Sequence, residues 1–348
     1  MTRVLWALGV LLSLFAASTV WYASNELAAR RGHRAESVQH QLAIAERVPM
    51  IIDGQQSDIS EYRSRILVPF TLLGIKRLGI LGTDEHRYMV IRLVTGAAMF
   101  LTVWWLLLDE LQVSLPLALT VTGWLAVWLV ASFNIPWEVP TDYLDIIGLS
   151  VAITLVRRRK RLALTALVLV ATLNRESSAY YGLLLFWLAA LDRQRRLSDV
   201  VWAIGLSGLA VVEMVTLRVV NRLPFGDLHN HSMIATNIDH LVADIRALPT
   251  PGFIVPLGCG LGALATWLWM RRGSAAHEDR AWVCTAATIV MLNWCVTSIG
   301  EIRVYLPTVF LLLLASIVRE QRATLSGDQR VLPRSEAGDV WSTAFSTR

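Results

Sequence analysis

The sequence predicts an all-α, polytopic membrane protein with about ten transmembrane helices, on three observations. Of its 348 residues, 55% are hydrophobic and only 17% are charged. The mean hydropathy is +0.50, far from a soluble globular average. Apolar runs recur along most of the chain, and short basic clusters fall between them, which is the pattern of cytoplasmic anchoring. The formal net charge of +5 therefore does not point to nucleic acid, because most of the basic residues fall in those short clusters between apolar segments. Fourteen Trp suit interfacial positions. Cys259, Cys284 and Cys295 have neither metal-ligand spacing nor a disulfide framework.

The first run, 3–22, has a basic start and small residues near its end. Since many spans follow, it reads as an uncleaved signal anchor. Residues 23–87 form a long first external loop. Within it "ESVQHQLAIAERV" reads as a surface helix, and "ILVPFTLLGIKRLGIL" at 66–81 as an amphipathic helix lying on the outer leaflet. Reading 66–81 as an eleventh span would turn every later basic cluster outward and set Lys76 and Arg77 among lipid. The remaining spans are 88–108, 114–133, 142–156, 162–173, 179–191, 199–219, 253–270, 281–300 and 304–318.

Orientation follows from charge. With the amino terminus inside, "RRRKR" (157–161), "DRQRR" (192–196), "RRGSAAHEDR" (271–280) and "REQR" (319–322) all become cytoplasmic. The external loop carries Arg30, Arg31, Arg34, Arg47, Arg63, Arg65, Lys76 and Arg77, but long loops are translocated with little regard to charge. Residues 1–318 thus form the integral membrane domain. Residues 319–348 read as a disordered cytoplasmic tail, so that both termini face the cytoplasm.

"ATLNRESSAYY" (171–181) sets Arg175 and Glu176 inside an apolar region. About 30 residues separate the flanking basic clusters, whereas two full crossings need about 20 each. The hairpin is too short, so its turn should sit at hydrocarbon depth and line a protein-walled or wet cavity open to the outside. One oblique helix over 162–191 is the alternative, and it would put the two clusters on opposite sides. Adjacent side chains diverge on a helix, so Arg175 and Glu176 need partners from other elements. "SIGEIRVYLP" (298–307) repeats the geometry with Glu301 and Arg303, its alternative being an ordinary polar surface turn.

Acids and arginines gather on the external side. The first loop holds Asp53, Asp58, Glu61, Arg63 and Arg65; the second holds Glu138, Asp142 and Asp145; "NRLPFGDLHNHS" holds Arg222, Asp227, His229 and His231. Arginine suits bidentate binding of phosphate, and a carboxylate near an acceptor hydroxyl can act as general base. Each group also has a plain role as a solvated turn or a headgroup contact. No cofactor is implied: "HNH" beside Asp227 offers divalent-metal ligands, but two His one residue apart in a polar loop are more often solvated. No phosphate loop, zinc helix or nucleophile elbow is present.

"YRSRILVP", "TDYLDIIGLSVAITLVRRRKRLALTALVLVATLNRESS" and "EIRVYLP" resemble, in the same order, segments of a group of bacterial polytopic membrane proteins with YRxR(I/V)LxP, NRE(T/S)S and ExR motifs. More broadly, the architecture resembles the GT-C superfamily of integral membrane glycosyltransferases. The resemblance implies a polyprenyl-phosphate-linked sugar as donor and an external acceptor. Arg63, Arg65, Asn174, Arg175, Glu176, Glu301 and Arg303 are then the substrate-binding positions, with Asp58, Asp53 or Glu61 as base. The tight acidic pair that many such enzymes carry just after the first span is missing here. A transporter or flippase of an anionic lipid or solute, and a noncatalytic partner in envelope polysaccharide assembly, are the alternatives.

Overall fold

The computed structural model describes residues 3–30, 34–46, 50–52, 55–57, 66–132, 139–192, 197–220, 258–259, 261–266, 268, 277–296 and 305–331. The described chain is all-α apart from one small hairpin, β1 (Met50–Ile52) and β2 (Gln55–Ser57), antiparallel with Ile51 opposite Gln56. The helices are α1 (Arg3–Arg30), α2 (Arg34–Glu46), α3 (Leu67–Arg77), α4 (Asp84–Trp105), α5 (Leu115–Ser132), α6 (Val139–Arg157), α7 (Arg161–Thr172), α8 (Ala179–Leu191), α9 (Leu197–Val220), α10 (His277–Val296) and α11 (Leu306–Val331). Two of them, α4 with its π-helical extension to Glu110 and α9 over Leu197–Leu217, are long and apolar enough to cross a bilayer.

Helices form at both places where the sequence predicts them between 23 and 87, as α2 and α3. Val68, Leu72 and Leu73 of α3 are buried, and Val38 of α2 joins Val68, Leu72, Tyr88 and Ile91 in one apolar cluster over the first part of α4. Lys76 joins the pair to its neighbours through Glu46 (3.1 Å) and Asp84 (3.7 Å). Thr83 caps α4 by accepting from the His86 amide, and Arg87 Nε closes the preceding turn on the Ile80 carbonyl at 2.7 Å.

The main core runs through α1, α4, α5, α6, α7, α8, α9, α10 and α11. Helix α6 lies against α4, α7, α8 and α11, and α8 lies between α9 and α10. Two glycines permit the closest approaches. A Cβ at Gly148 would strike the Tyr181 hydroxyl, and one at Gly182 would strike Ser207 Oγ and come 2.9 Å from the Ala203 carbonyl. Small residues at such crossings let helix backbones approach.

One end of the bundle is closed by ion pairs. Arg157 meets Glu278 at 3.2 Å, Arg158 pairs with Glu110, and Arg161 pairs with Asp199. Arg322 reaches Asp279 at 2.7 Å and Glu278 at 3.1 Å. This belt joins the ends of α4, α6, α7, α9 and α10 to α11. Three of the four basic clusters contribute to it, so they share one end of the molecule; positions 193–196 lie outside the described residues.

The region 162–191 is two helices with a break, not one oblique helix. At 12 and 13 residues, α7 and α8 are only about 18 and 20 Å long. Helix α9 overreaches them: Ser207 Oγ donates to the Ala179 carbonyl at 3.3 Å, Glu213 faces Thr172, and the helix then continues to Val220, about 10 Å further. The expectation of disorder from 319 is corrected over 319–331, where α11 continues to Val331. Apolar residues end near Val318, but Arg322 is clamped by two acids of α10 and Gln321 accepts from the Ser114 amide at 3.2 Å.

Candidate functional site

Helix α7 ends at Thr172, where the chain turns tightly: the amides of Asn174 and Arg175 both donate to the Ala171 carbonyl, at 2.9 and 3.0 Å. A short 3-10 turn, Glu176–Ser178, leads into α8. Opposite lies the start of α6, where Asp142 and Asp145, three residues apart, share a helical face. Asp142 also sits in the first turn, where the helix dipole favours negative charge.

The two elements interlock. Arg175 Nη1 donates to Asp142 Oδ1 at 2.7 Å and lies 3.5 Å from Asp145 Oδ2. Asn174 Nδ2 donates to the Thr141 carbonyl at 2.9 Å and to Asp145 Oδ1 at 3.1 Å. Those two acceptors fix the amide orientation, since the reverse rotamer would set oxygen against oxygen. Ser177 Oγ donates to Asp145 Oδ2 at 2.9 Å. Asp142, Asp145, Asn174 and Arg175 are all at least nine-tenths buried. For ion pairs so enclosed, removing one partner leaves the other charge uncompensated and is strongly destabilising.

A second buried cation stands nearby. Arg92 of α4 lies 6.0 Å from the Tyr88 ring centre and close enough to Tyr143, next to Asp142, to act on it electrostatically. By helix rise, Asp142 lies about 24 Å and Arg92 about 27 Å from the ion-pair belt, short of a full hydrocarbon thickness of about 30 Å.

The first loop reaches the same place. The amides of Ile66 and Leu67, at the start of α3, both donate to the Leu173 carbonyl, at 2.9 and 3.2 Å. Leu173 immediately precedes Asn174. Arg65 is the residue before Ile66 in the sequence, and both it and Arg63 lie outside the described residues.

Of the positions singled out in the sequence, Asn174 and Arg175 are brought together at the tip. The Glu176 backbone belongs to the 3-10 turn, and its side chain lies outside the described residues. Asp53, Asp58, Glu61, Arg63, Arg65, Glu301 and Arg303 also lie outside them, as do Glu138, Arg222, Asp227, His229 and His231. Arg175 is positioned by Asp142 and Asp145, two acids quoted in the sequence as loop residues but not assigned to the site. Their three-residue spacing directly before an apolar run was the signal. Arg92 was missed altogether, although a lone arginine inside "YMVIRLVTGAAMF" is the same kind of signal as Arg175.

No protein-family model, curated protein or solved structure matches this chain. The class of protein therefore has to be argued from fold and site.

Proposed function

We propose that this chain is a polytopic inner-membrane glycosyltransferase of GT-C type, moving a sugar from a polyprenyl-phosphate-linked donor to an acceptor on the outer face. Both termini would lie in the cytoplasm. The observation that carries the reading is the junction of α3 with the hairpin tip at Leu173, next to the buried group of Arg175, Asp142 and Asp145.

A lipid environment accounts for the outer surface. Phe15, Trp124, Leu162, Ile204 and Met291 are exposed on five helices, a spread of apolar surface that water would not favour. The exposed hydroxyls of Thr102, Thr120 and Thr216 each donate to the carbonyl four residues back, so they ask nothing of a surrounding apolar phase. In a bilayer, the ion-pair belt would mark the cytoplasmic boundary, and the α7–α8 hairpin would end short of the other one.

The chemistry needs three roles. Arg63, Arg65, Arg175 and Arg303 would bind the donor phosphate, with Asn174 fixing the tip and Asp142, Asp145, Glu176 and Glu301 orienting the arginines. Asp58, or else Asp53 or Glu61, would take the acceptor hydroxyl proton. The freed oxygen attacks the anomeric carbon, the bond from that carbon to phosphate breaks, and its electron pair leaves with the polyprenyl phosphate. A single displacement inverts the anomeric centre. Arg175 arrives already ion-paired with Asp142 and Asp145, so a phosphate would exchange with a carboxylate at the guanidinium.

The test is sugar transfer from a radiolabelled polyprenyl-phosphate sugar by the purified protein in lipid nanodiscs. Arg175→Ala and Asp58→Asn should each lower the rate by about a hundredfold or more, the usual range for a general base. Full activity in Asp58→Asn would remove the base assignment. Protein that consumes no donor yet carries a labelled lipid across vesicles would establish the transporter reading instead.

A further inference from the structure

The side of the hairpin tip facing away from α6 carries a carboxyl that the scheme above does not use. Glu213 sits in the apolar stretch of α9, about 21 Å by helix rise from Asp199 in the ion-pair belt. It faces the Thr172 hydroxyl, and its Oε2 is enclosed with no polar partner among the described residues. Thr172 Oγ1 lies 2.8 Å from the Val168 carbonyl and 2.8 Å from Ser178 Oγ.

Hydrogen counting favours the neutral acid for this group. A carbonyl only accepts, so the single Thr172 hydroxyl hydrogen is committed to Val168. The Thr172 oxygen then accepts from Ser178 on one side and has lone-pair capacity for Glu213 on the other. An ionised carboxylate has no hydrogen to give; a carboxylic acid has one.

Among the described residues, no cation faces this carboxyl. Thr172 is the group α7 presents, its arginine at position 161 being engaged with Asp199 in the belt. The tip presents Ser178, while Arg175 is turned to Asp142 and Asp145 on α6. From α8, Tyr180 donates to Asn293 of α10 and Tyr181 lies against Gly148 of α6. On α9 itself, the Arg218 side chain lies outside the described residues. A lone carboxylate at hydrocarbon depth is costly, and the neutral acid is the cheaper form.

We propose that Glu213, with Thr172 and Ser178, is a proton-binding site at hydrocarbon depth: Glu213 holds an exchangeable proton at neutral pH and donates it in a hydrogen bond to the Thr172 hydroxyl, whose oxygen also accepts from Ser178. The inference rests on the membrane-spanning part of the reading above, not on sugar transfer. The test uses dicyclohexylcarbodiimide, an apolar reagent in which the acid O–H adds across a C=N bond and the adduct rearranges to a stable N-acylurea.

Native membranes would be treated at about pH 6 and about pH 9 and the modified peptides mapped by mass spectrometry, a readout independent of transfer activity. Glu213 should be labelled at least about tenfold more than Asp199 or Glu278, and less at the higher pH. Glu213→Gln should abolish the adduct, and mapping the native chain suffices if that variant does not accumulate. Absence of label on Glu213, labelling equal to that of the belt acids, or the same labelling at both pH values would overturn the proposal. Carbonate extraction of the same membranes reports the membrane reading separately, since a chain that washes off refutes that reading itself.

Discussion

Arg175 meets two carboxylates from one face of α6, and the cost of disturbing that contact depends on which partner is removed. Arg175→Met leaves Asp142 and Asp145 buried without their shared cation, which should destabilise the fold by about 3–5 kcal/mol. Asp142→Asn keeps Asp145 beside the guanidinium and should cost less. The double variant should cost less than the sum of the two, because it leaves one carboxylate uncompensated rather than two; thermal unfolding in detergent across the four proteins measures the coupling. The sequence showed that Arg175 needed a partner, since a charge in "ATLNRESSAYY" cannot be left to lipid. It did not show which, because Asp142 lies 33 residues away and its position before an apolar run reads equally well as a loop acid.

The short hairpin works because α8 can come close to α9. Gly182→Ala would drive a methyl into Ser207 Oγ and the Ala203 carbonyl, so the helices must separate, at about 1–3 kcal/mol. The loss should be visible as a lower melting temperature and as faster amide exchange in α8. The first-loop helices answer to pH instead. The hydrogen bond from Lys76 to Glu46, opposed in part by desolvation and aided by Asp84, holds the Lys76 ammonium above its ordinary 10.5. A raised value means the contact is fully present below the ordinary lysine range and is lost as pH climbs through the folded value. Amide exchange in α2 and α3 should therefore quicken in alkaline buffer, relative to its intrinsic rise, and the effect should be small because both side chains are more than a third exposed.

Helix existence was legible from apolar runs almost everywhere, down to the break at 173–178, because length and charge spacing constrain a crossing tightly. The end of α11 was not: "REQRATLSGDQR" is polar in sequence, and its first part is held to the bundle by Arg322 on Glu278 and Asp279 and by Gln321 on the Ser114 amide. Nor could periodicity reveal that Ile66 docks on Leu173, since backbone hydrogen bonds leave no mark on side-chain pattern.

Across the bundle, the arrangement separates two kinds of charge. The belt around Glu278 binds helix ends at one pole, and the Asp142–Asp145–Arg175 group lies about 20–25 Å away at the level where the short hairpin stops. Function, on this reading, depends on that second group being reached from the pole opposite the belt. Single cysteines introduced at Ser177, Ile80 and Arg159, with Cys259, Cys284 and Cys295 replaced, can be reacted with a membrane-impermeant maleimide in spheroplasts and in inverted vesicles. The account predicts that Cys at 80 reacts from the outside and Cys at 177 does so more slowly, while Cys at 159 reacts only in inverted vesicles. Reaction of position 177 from the cytoplasmic side, or of positions 80 and 159 from the same side, would contradict it.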